Sequence, residues 1–226
     1  DIRTPMNAIQ GLTKILSEPA ISEDDREELV RDVETQSTIL LQMIENTIQL
    51  SKIETNTLDV NFSFTNVNKL LRELYNRFYA ALPASVPVRL TFLPGIIHED
   101  AGFETDPSLL YEILFRLIDN AVKYTRSGMV HFGYAVAPGN MAEFFVEDTG
   151  PGIPVSEKEN IFLRFYVMES DRKANRCGPG LGLPVAQHFT ALLGGELKVD
   201  STPGKGSRFW FRLPLKNPRG FMQVVQ

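Results

Sequence analysis

Three short stretches place polar side chains and glycines where a charged, flat ligand could be held. In "LIDNAVKYT", Asn120 and Lys123 stand three residues apart, so on a helix they share a face. An amide oxygen suits a hard cation such as Mg²⁺, and a neighbouring lysine suits a phosphate chain. In "VEDTGPGI", Asp148 is followed by Gly150 and Gly152, and glycines permit a sharp turn with close approach of a planar ligand. A semi-buried carboxylate at that turn could accept a hydrogen bond from an exocyclic amine such as that of adenine, although Asp-Thr-Gly also makes an ordinary strand-end turn. In "GPGLGL", Gly178, Gly180 and Gly182 lead into a helix, where free backbone N–H groups favour phosphate. A further pair, Gly204 and Gly206 in "TPGKGSRFWF", is by itself only a hairpin turn.

These stretches need elements to position them. Residues 1–17 read as a helix with Ile2, Ile9, Leu12 and Leu16 on one face. "SEPAISEDD" is a turn, with Ser22 and the acids after it starting a second helix that runs from Glu23 to about Ile53 without Pro or Gly. Leu29, Val33, Gln36, Leu40, Met43, Thr47 and Leu50 alternate steps of four and three along it, a heptad seam. Two helices bury little alone, so the seam predicts a four-helix bundle from two chains, or else packing on the chain's own second domain. Beyond "TNT" the period changes. "LDVNFSF" alternates like a strand, 66–81 is helical, and "VRLTFL" is a strand. Asp106-Pro107 opens a helix with Asp as N-cap and Pro in the first turn. Strands at 129–137 and 141–148, an irregular stretch at 163–180, a helix at 181–193 and a closing hairpin of "GELKVDS" with "SRFWFRLPL" complete the pattern. The expected fold is α+β: a helical hairpin over 1–57, an α/β sandwich over 58–215 and a tail at 216–226.

Composition narrows the function. The 226 residues carry a net charge of -5, which argues against non-specific nucleic-acid binding. One cysteine, Cys177, excludes an intrachain disulfide. No apolar run approaches the ~18 residues that span a bilayer.

Taken in order, Asn-x-x-Lys on a helix, Asp-x-Gly-x-Gly after a strand, Gly-x-Gly-x-Gly before a helix and a Gly-x-Gly hairpin resemble the nucleotide-binding domain of sensor histidine kinases. That superfamily includes DNA gyrase and the heat-shock ATPase chaperones. Phe162 and Phe165 in "IFLRFY" match its aromatic pair. The opening "DIRTP" is similar to the end of the kinase motif His-Glu/Asp-x-x-Thr/Asn-Pro, and "LSKIE" looks like the exit from its hairpin.

The resemblance implies ATP and Mg²⁺ as cofactors. Asn120 would coordinate the metal and Lys123 contact the phosphates. Asp148 would hold the adenine amine, with Gly150 and Gly152 shaping that wall and Ser207 reaching adenine through water. Gly178, Gly180, Leu181 and Gly182 would hold the phosphates, beneath a mobile lid at 163–180 whose Arg172 meets the γ-phosphate. The acceptor histidine is expected immediately before Asp1, so the chain as it stands should bind ATP but not phosphorylate itself. His98, His131 and His188 are expected to be ordinary residues. Asp1 would orient the acceptor ring, and Thr4, one turn further on, would place the water that dephosphorylates a partner. Expected partners are a second copy through residues 1–57 and a response-regulator receiver domain, with no nucleic acid. The parent would be a membrane-anchored sensor with this part in the cytoplasm. Arg116 departs from the family, which often has Asn there; it would pair with Glu112 or reach phosphate. The alternatives are a non-catalytic nucleotide-gated dimer module and a gyrase-like or chaperone-like ATPase.

Overall fold

A computed structural model describes residues 2–18, 21–54, 58–83, 85–96, 98, 100–169 and 180–219. The hairpin consists of α1 (Arg3–Leu16) and α2 (Glu23–Glu54). Ser22 starts α2 as its spacing predicts: its Oγ accepts from the Asp25 N–H at 3.2 Å and donates to the Asp25 carboxylate at 2.6 Å. Glu23, Asp24 and Asp25 fill the first turn, where negative charge meets the positive end of the helix. Ile9, Leu12 and Leu16 of α1 are half-buried, as are Leu29, Val33, Gln36, Leu40 and Met43 of the seam, while Thr47 is exposed. A second apolar set on α2 stays open to solvent: Val30, Leu41, Ile44 and Ile48.

The second part is a two-layer sandwich. Its strands are β1 (Ser63–Asn66), β2 (Val88–Leu93), β3 (Gly102–Thr105), β4 (Gly128–Ala137), β5 (Met141–Asp148), β6 (Lys198–Thr202) and β7 (Gly206–Pro214). Its helices are α3 (Val67–Ala81), α4 (Pro107–Tyr124) and α5 (Gly182–Leu192). The main sheet runs β2-β4-β5-β7-β6, with β2 parallel to β4 and the other neighbours antiparallel. Strict alternation along β5 sends Ala142, Phe144, Val146 and Asp148 to the buried face. There Phe132, Tyr134, Phe144 and Phe211 meet the apolar stripe of α4, formed by Leu110, Ile113, Leu114, Leu117 and Ile118. Phe144 and Phe211 stack with centroids 5.2 Å apart. The outer face is polar: Glu143 grips both Arg208 and Arg212 at 2.8 Å.

α4 is set by its cap. Asp106 Oδ1 accepts from the N–H groups of Ser108 and Leu109 at 2.9 and 3.0 Å, and Oδ2 accepts from Asn61 N–H at 2.8 Å. One carboxylate thus fixes the register of the helix and the strand-like entry to the domain.

The entry itself differs from the sequence expectation. Of "LDVNFSF" only the end is strand, because β1 begins at Ser63. Phe62 and Phe64 face outward, under Lys216 and Arg219 at 4.8 and 4.7 Å, while Thr65 is the buried side chain. The apolar alternation therefore splits: Leu58 and Val60 pack against the core, and Phe62 and Phe64 lie on a face that cations cover. β3, which gives no periodic signal, pairs antiparallel with β1. A Cβ on Gly102 would stand 2.2 Å from the Thr65 carbonyl oxygen, so this close pairing requires glycine. Arg219 in turn bridges to Gly102, and Glu104 N–H donates to the Lys216 carbonyl at 2.8 Å.

Candidate active site

α4, the turn after β5, the start of α5 and the start of β7 enclose a cleft of about 390 Å³. Asn120, Lys123, Asp148, Gly152, Gly180, Gly182 and Ser207 all line it. The four separated stretches picked out by sequence thus share one cavity.

At one end stands Asp148, 8% exposed at the last position of β5. Its Oδ1 accepts the Gly150 N–H at 2.8 Å. Burial raises its pKa above the ordinary carboxylate value, the Gly150 and Ser207 N–H groups oppose that rise, and the nearby Glu147 charge adds to it. Ser207 lies directly across from Asp148 in the β5–β7 register. Ser207 Oγ is 3.0 Å from Ser201 Oγ, which donates to the Gly206 carbonyl at 2.8 Å and accepts from Ile153 N–H at 2.8 Å. Since a hydroxyl has one proton, Ser207 is the donor of the Ser–Ser bond and keeps its lone pairs for a ligand donor. Two acceptors side by side suit an amine or a water.

Two glycines make this wall possible. Gly152 has φ +70° and a Cβ there would lie 2.1 Å from the Thr202 carbonyl; Gly206 has φ +100° and its Cβ would lie 1.9 Å from the Asp148 carbonyl.

At the other end Gly182 begins α5, with Leu181 as an N-cap that supplies no side-chain hydrogen bond. A Cβ at Gly182 would meet no atom within 4 Å, so open space lies beside the first turn, where Gly182 lines the cleft. The resemblance places Leu181 at the phosphates; its side chain is fully buried in the core and the residue does not line the cleft. Lys123 is exposed, its Nζ 5.3 Å from the Tyr124 ring centroid.

Not every expected residue lines the cleft. Gly150 sits behind the Asp148 carboxylate, 2.8 Å from it at the position of a Cβ. Phe162 packs against the core, and Phe165 is 44% exposed with φ +61°. Tyr166 lines the cleft instead and donates its hydroxyl to the Glu157 carboxylate. Thr4, in the first turn of α1, is exposed and outside the cleft. Asp1, Arg172 and Gly178 lie outside the described residues.

Several lining residues carry no motif. Glu112, Arg116 and Asp119 could have been found by stepping back from Lys123 at helical spacing, because the wet face of α4 is the cleft wall. Of the two fates open to Arg116, this structure has the pair: its Nη2 lies 3.2 Å from Glu112 Oε2. Burial lowers the guanidinium pKa, against the pull of Glu112, Asp119 and Glu45. Arg77 of α3 and Glu45 of α2 reach the same cavity, and no local pattern in either helix announces it. Among the described residues, no group of three or more His, Cys, Asp or Glu side chains could hold a metal ion by itself.

Comparison with known proteins agrees with this architecture. Residues 105–217 match the family model described as histidine kinase-, DNA gyrase B- and HSP90-like ATPase, and residues 1–56 match the His Kinase A phospho-acceptor domain. The sensor protein GacS of Pseudomonas syringae pv. syringae is 30% identical over 97% of this chain and 24% of its own length. The aerobic respiration control sensor ArcB of Escherichia coli K12 is 31% identical over 92% of this chain and 27% of its own. The chain therefore spans about a quarter of the length of these curated relatives. Full-length ShkA in complex with AMPPNP shares the fold with a TM-score of 0.73 at 23% identity, covering 97% of this chain and 45% of that one. The histidine kinase ThkA in complex with the response regulator TrrA does so with 0.67 at 22%, covering 95% and 59%. The chain belongs to the histidine kinase-, DNA gyrase B- and HSP90-like ATPase family, and with its hairpin to the sensor histidine kinases within it.

Proposed function

We propose that this chain is the catalytic core of a sensor histidine kinase, which binds Mg-ATP and passes the γ-phosphoryl group to a histidine immediately before Asp1, then to a response-regulator aspartate. The observation that carries the reading is the convergence of Asn120, Lys123, Asp148, Gly182 and Ser207 on one cleft. Asp148 and Ser207 would take the adenine end. The α5 N-terminus and Lys123 would take the phosphates, since free N–H groups and a cation favour anions.

The donor set fits magnesium held chiefly by the nucleotide. That ion usually keeps one or two protein ligands beside substrate phosphates, and Asn120 offers an amide oxygen on the phosphate side of the cleft. When bound, it would neutralise charge on the phosphates. The chain's own groups orient: phosphoryl transfer asks little covalent work of a protein beyond in-line positioning. An imidazole nitrogen attacks the γ-phosphorus as the bond to the β–γ bridging oxygen breaks and ADP leaves. Asp1 would hold the other ring nitrogen's proton, and Thr4 would place the water that removes phosphate from the regulator.

The hairpin would dimerise through the open set Val30, Leu41, Ile44 and Ile48, completing a four-helix bundle. The ThkA–TrrA complex supports a response regulator as a second partner of this chain. No helix among the described residues is long and apolar enough to cross a membrane; a cytoplasmic place within a membrane-anchored sensor is part of the proposal.

The test restores the histidine before Asp1 and supplies γ-labelled ATP. An acid-labile phosphoprotein is expected, and none from the chain as it stands. Steady release of free phosphate without labelled protein would assign a gyrase-like or chaperone-like ATPase instead. Nucleotide binding with neither product would leave a nucleotide-gated dimer module.

A further inference from the structure

Arg77 lines the cleft from α3, a helix that carries no motif of the site. Its guanidinium is held in place from α4. Tyr111 and Phe115 stand one turn apart there, their rings stacked with centroids 6.2 Å apart. Arg77 Cζ lies 4.5 Å from the Phe115 ring centroid, and Nη1 donates to the Tyr111 hydroxyl at 3.0 Å. A guanidinium has five N–H donors in a planar fork, and one of them is spent here. Among the described residues no carboxylate lies within 4 Å of Arg77. Arg116 differs, being paired with Glu112 at 3.2 Å while the charges of Asp119 and Glu45 also bear on it. The Asp119 carboxylate feels Arg77 less than it feels Lys123 and Arg116. Arg77 is thus an oriented cation of the cleft wall whose charge no close ion pair cancels.

The course of α4 indicates which part of a ligand this cation meets. The helix ends beside Asp148: the turn after β5 packs on it, with a Cβ at Gly150 placed 3.2 Å from the Tyr124 carbonyl oxygen. At about 1.5 Å of rise per residue, Phe115 and Tyr111 lie roughly 13 and 20 Å back along the axis from Tyr124. Asn120 and Arg116 line the cleft between Tyr124 and Phe115. A nucleotide with its base at Asp148 and its phosphates running past Asn120 would therefore point its last phosphate towards Arg77.

We propose that Arg77 recognises the terminal phosphate: its guanidinium, preset by Phe115 and Tyr111, meets the γ-phosphate and makes the cleft prefer a nucleoside triphosphate to a diphosphate. This rests on the nucleotide reading made above and adds a residue that reading does not contain. Arginine suits the task, because its fork matches two phosphate oxygens at once. Holding the fork in place beforehand lowers the ordering cost of binding. Glu45 of α2 lines the same cavity, so the last phosphate is read on the side where the hairpin meets the sandwich.

The experiment titrates the full chain calorimetrically with Mg-ATP and with Mg-ADP, comparing the wild type with Arg77→Gln. ATP should bind roughly tenfold more weakly in Arg77→Gln, about the worth of a hydrogen bond to a charged group, while ADP affinity stays unchanged. Arg77→Lys keeps the charge but loses the fork, so its ATP affinity should fall between the two. Arg72→Gln removes a cation from an exposed position of the same helix outside the cleft and should change neither affinity. Unchanged ATP affinity in Arg77→Gln would overturn the proposal, as would equal losses for ATP and ADP, the result of a merely structural role. An equal ATP loss in Arg72→Gln would overturn it too, because long-range charge alone would then account for the effect. If Arg77→Gln does not fold, Arg77→Met keeps an apolar stem over the Phe115 ring and is read in the same way. A wild-type chain that bound neither nucleotide would bring down the nucleotide reading and Arg77 with it, a separate result from a silent Arg77→Gln.

Discussion

Arg116 holds Glu112 at 3.2 Å across one turn of α4, on the same wall of the cleft as Asn120. Glu lies N-terminal to Arg at a spacing of four, the favourable order for such a pair. A cation and an anion therefore share the wall where a triphosphate is expected.

Glu112→Gln removes like charge from the cleft wall, so ATP affinity should rise about threefold; Arg116→Gln should lower it by a similar factor. Both effects should shrink at high salt, as read by titration at two ionic strengths. The pair itself should contribute no more than about 0.5 kcal/mol to folding, measurable as the coupling term of a double-mutant cycle.

Asp148→Asn should weaken ATP binding roughly 10- to 100-fold, the worth of a hydrogen bond to a charged group. Glu157 is not a suitable control, because it accepts from the hydroxyl of Tyr166 in the cleft wall. Exposed Glu73 is better, and Glu73→Gln should leave affinity unchanged. The pH effects have opposite signs. An ionised acceptor is needed for the amine, so binding should fail as pH drops through the raised pKa of Asp148. For folding, a raised carboxylate pKa gives a contribution that is fully present in acid, below the unfolded value, and is lost as pH rises through the folded one. The Asn variant should therefore be no less stable than the wild type at neutral pH, by thermal unfolding.

Gly206→Ala should destabilise by about 2–4 kcal/mol. The new methyl would lie 1.9 Å from the Asp148 carbonyl at φ +100°, so the β5–β7 pairing must open locally. Denaturant midpoints check the loss, and ATP affinity should fall with it, since Ser207 and Asp148 move apart.

Ile44→Glu combined with Ile48→Glu should convert a dimer into a monomer, read by light scattering. Both residues are exposed on α2, 41% and 51%, so the isolated fold has little to lose from charge there. The far-ultraviolet spectrum of the sandwich should persist.

The site was legible because its glycines and polar residues lie in local motifs. Asn120, Asp148 and Gly182 each announce themselves within a few residues. What the sequence hid was supplied from a distance. Glu45 and Arg77 reach the cleft through tertiary packing, and neither helix has a period that marks them. The strand reading of "LDVNFSF" overran because alternation needs a paired neighbour to make a strand, and only Ser63 onward has one in β3, while Phe62 and Phe64 lie beneath cationic side chains. β3 escaped because a four-residue strand beginning at glycine has no measurable period. Periodicity sets Glu112 and Arg116 one turn apart, and the coordinates add that they are paired at 3.2 Å.

Phe165 N–H donates to the Gly180 carbonyl at 3.0 Å, and both residues have positive φ. A Cβ on Gly180 would strike the Tyr166 carbonyl at 2.6 Å. The chain at Phe165 is thus pinned to the chain at Gly180, and the two form a closed clasp. Closure cost grows only slowly with the number of residues enclosed. An insertion between Phe165 and Gly180 should therefore cost little and leave the sandwich beneath the clasp standing.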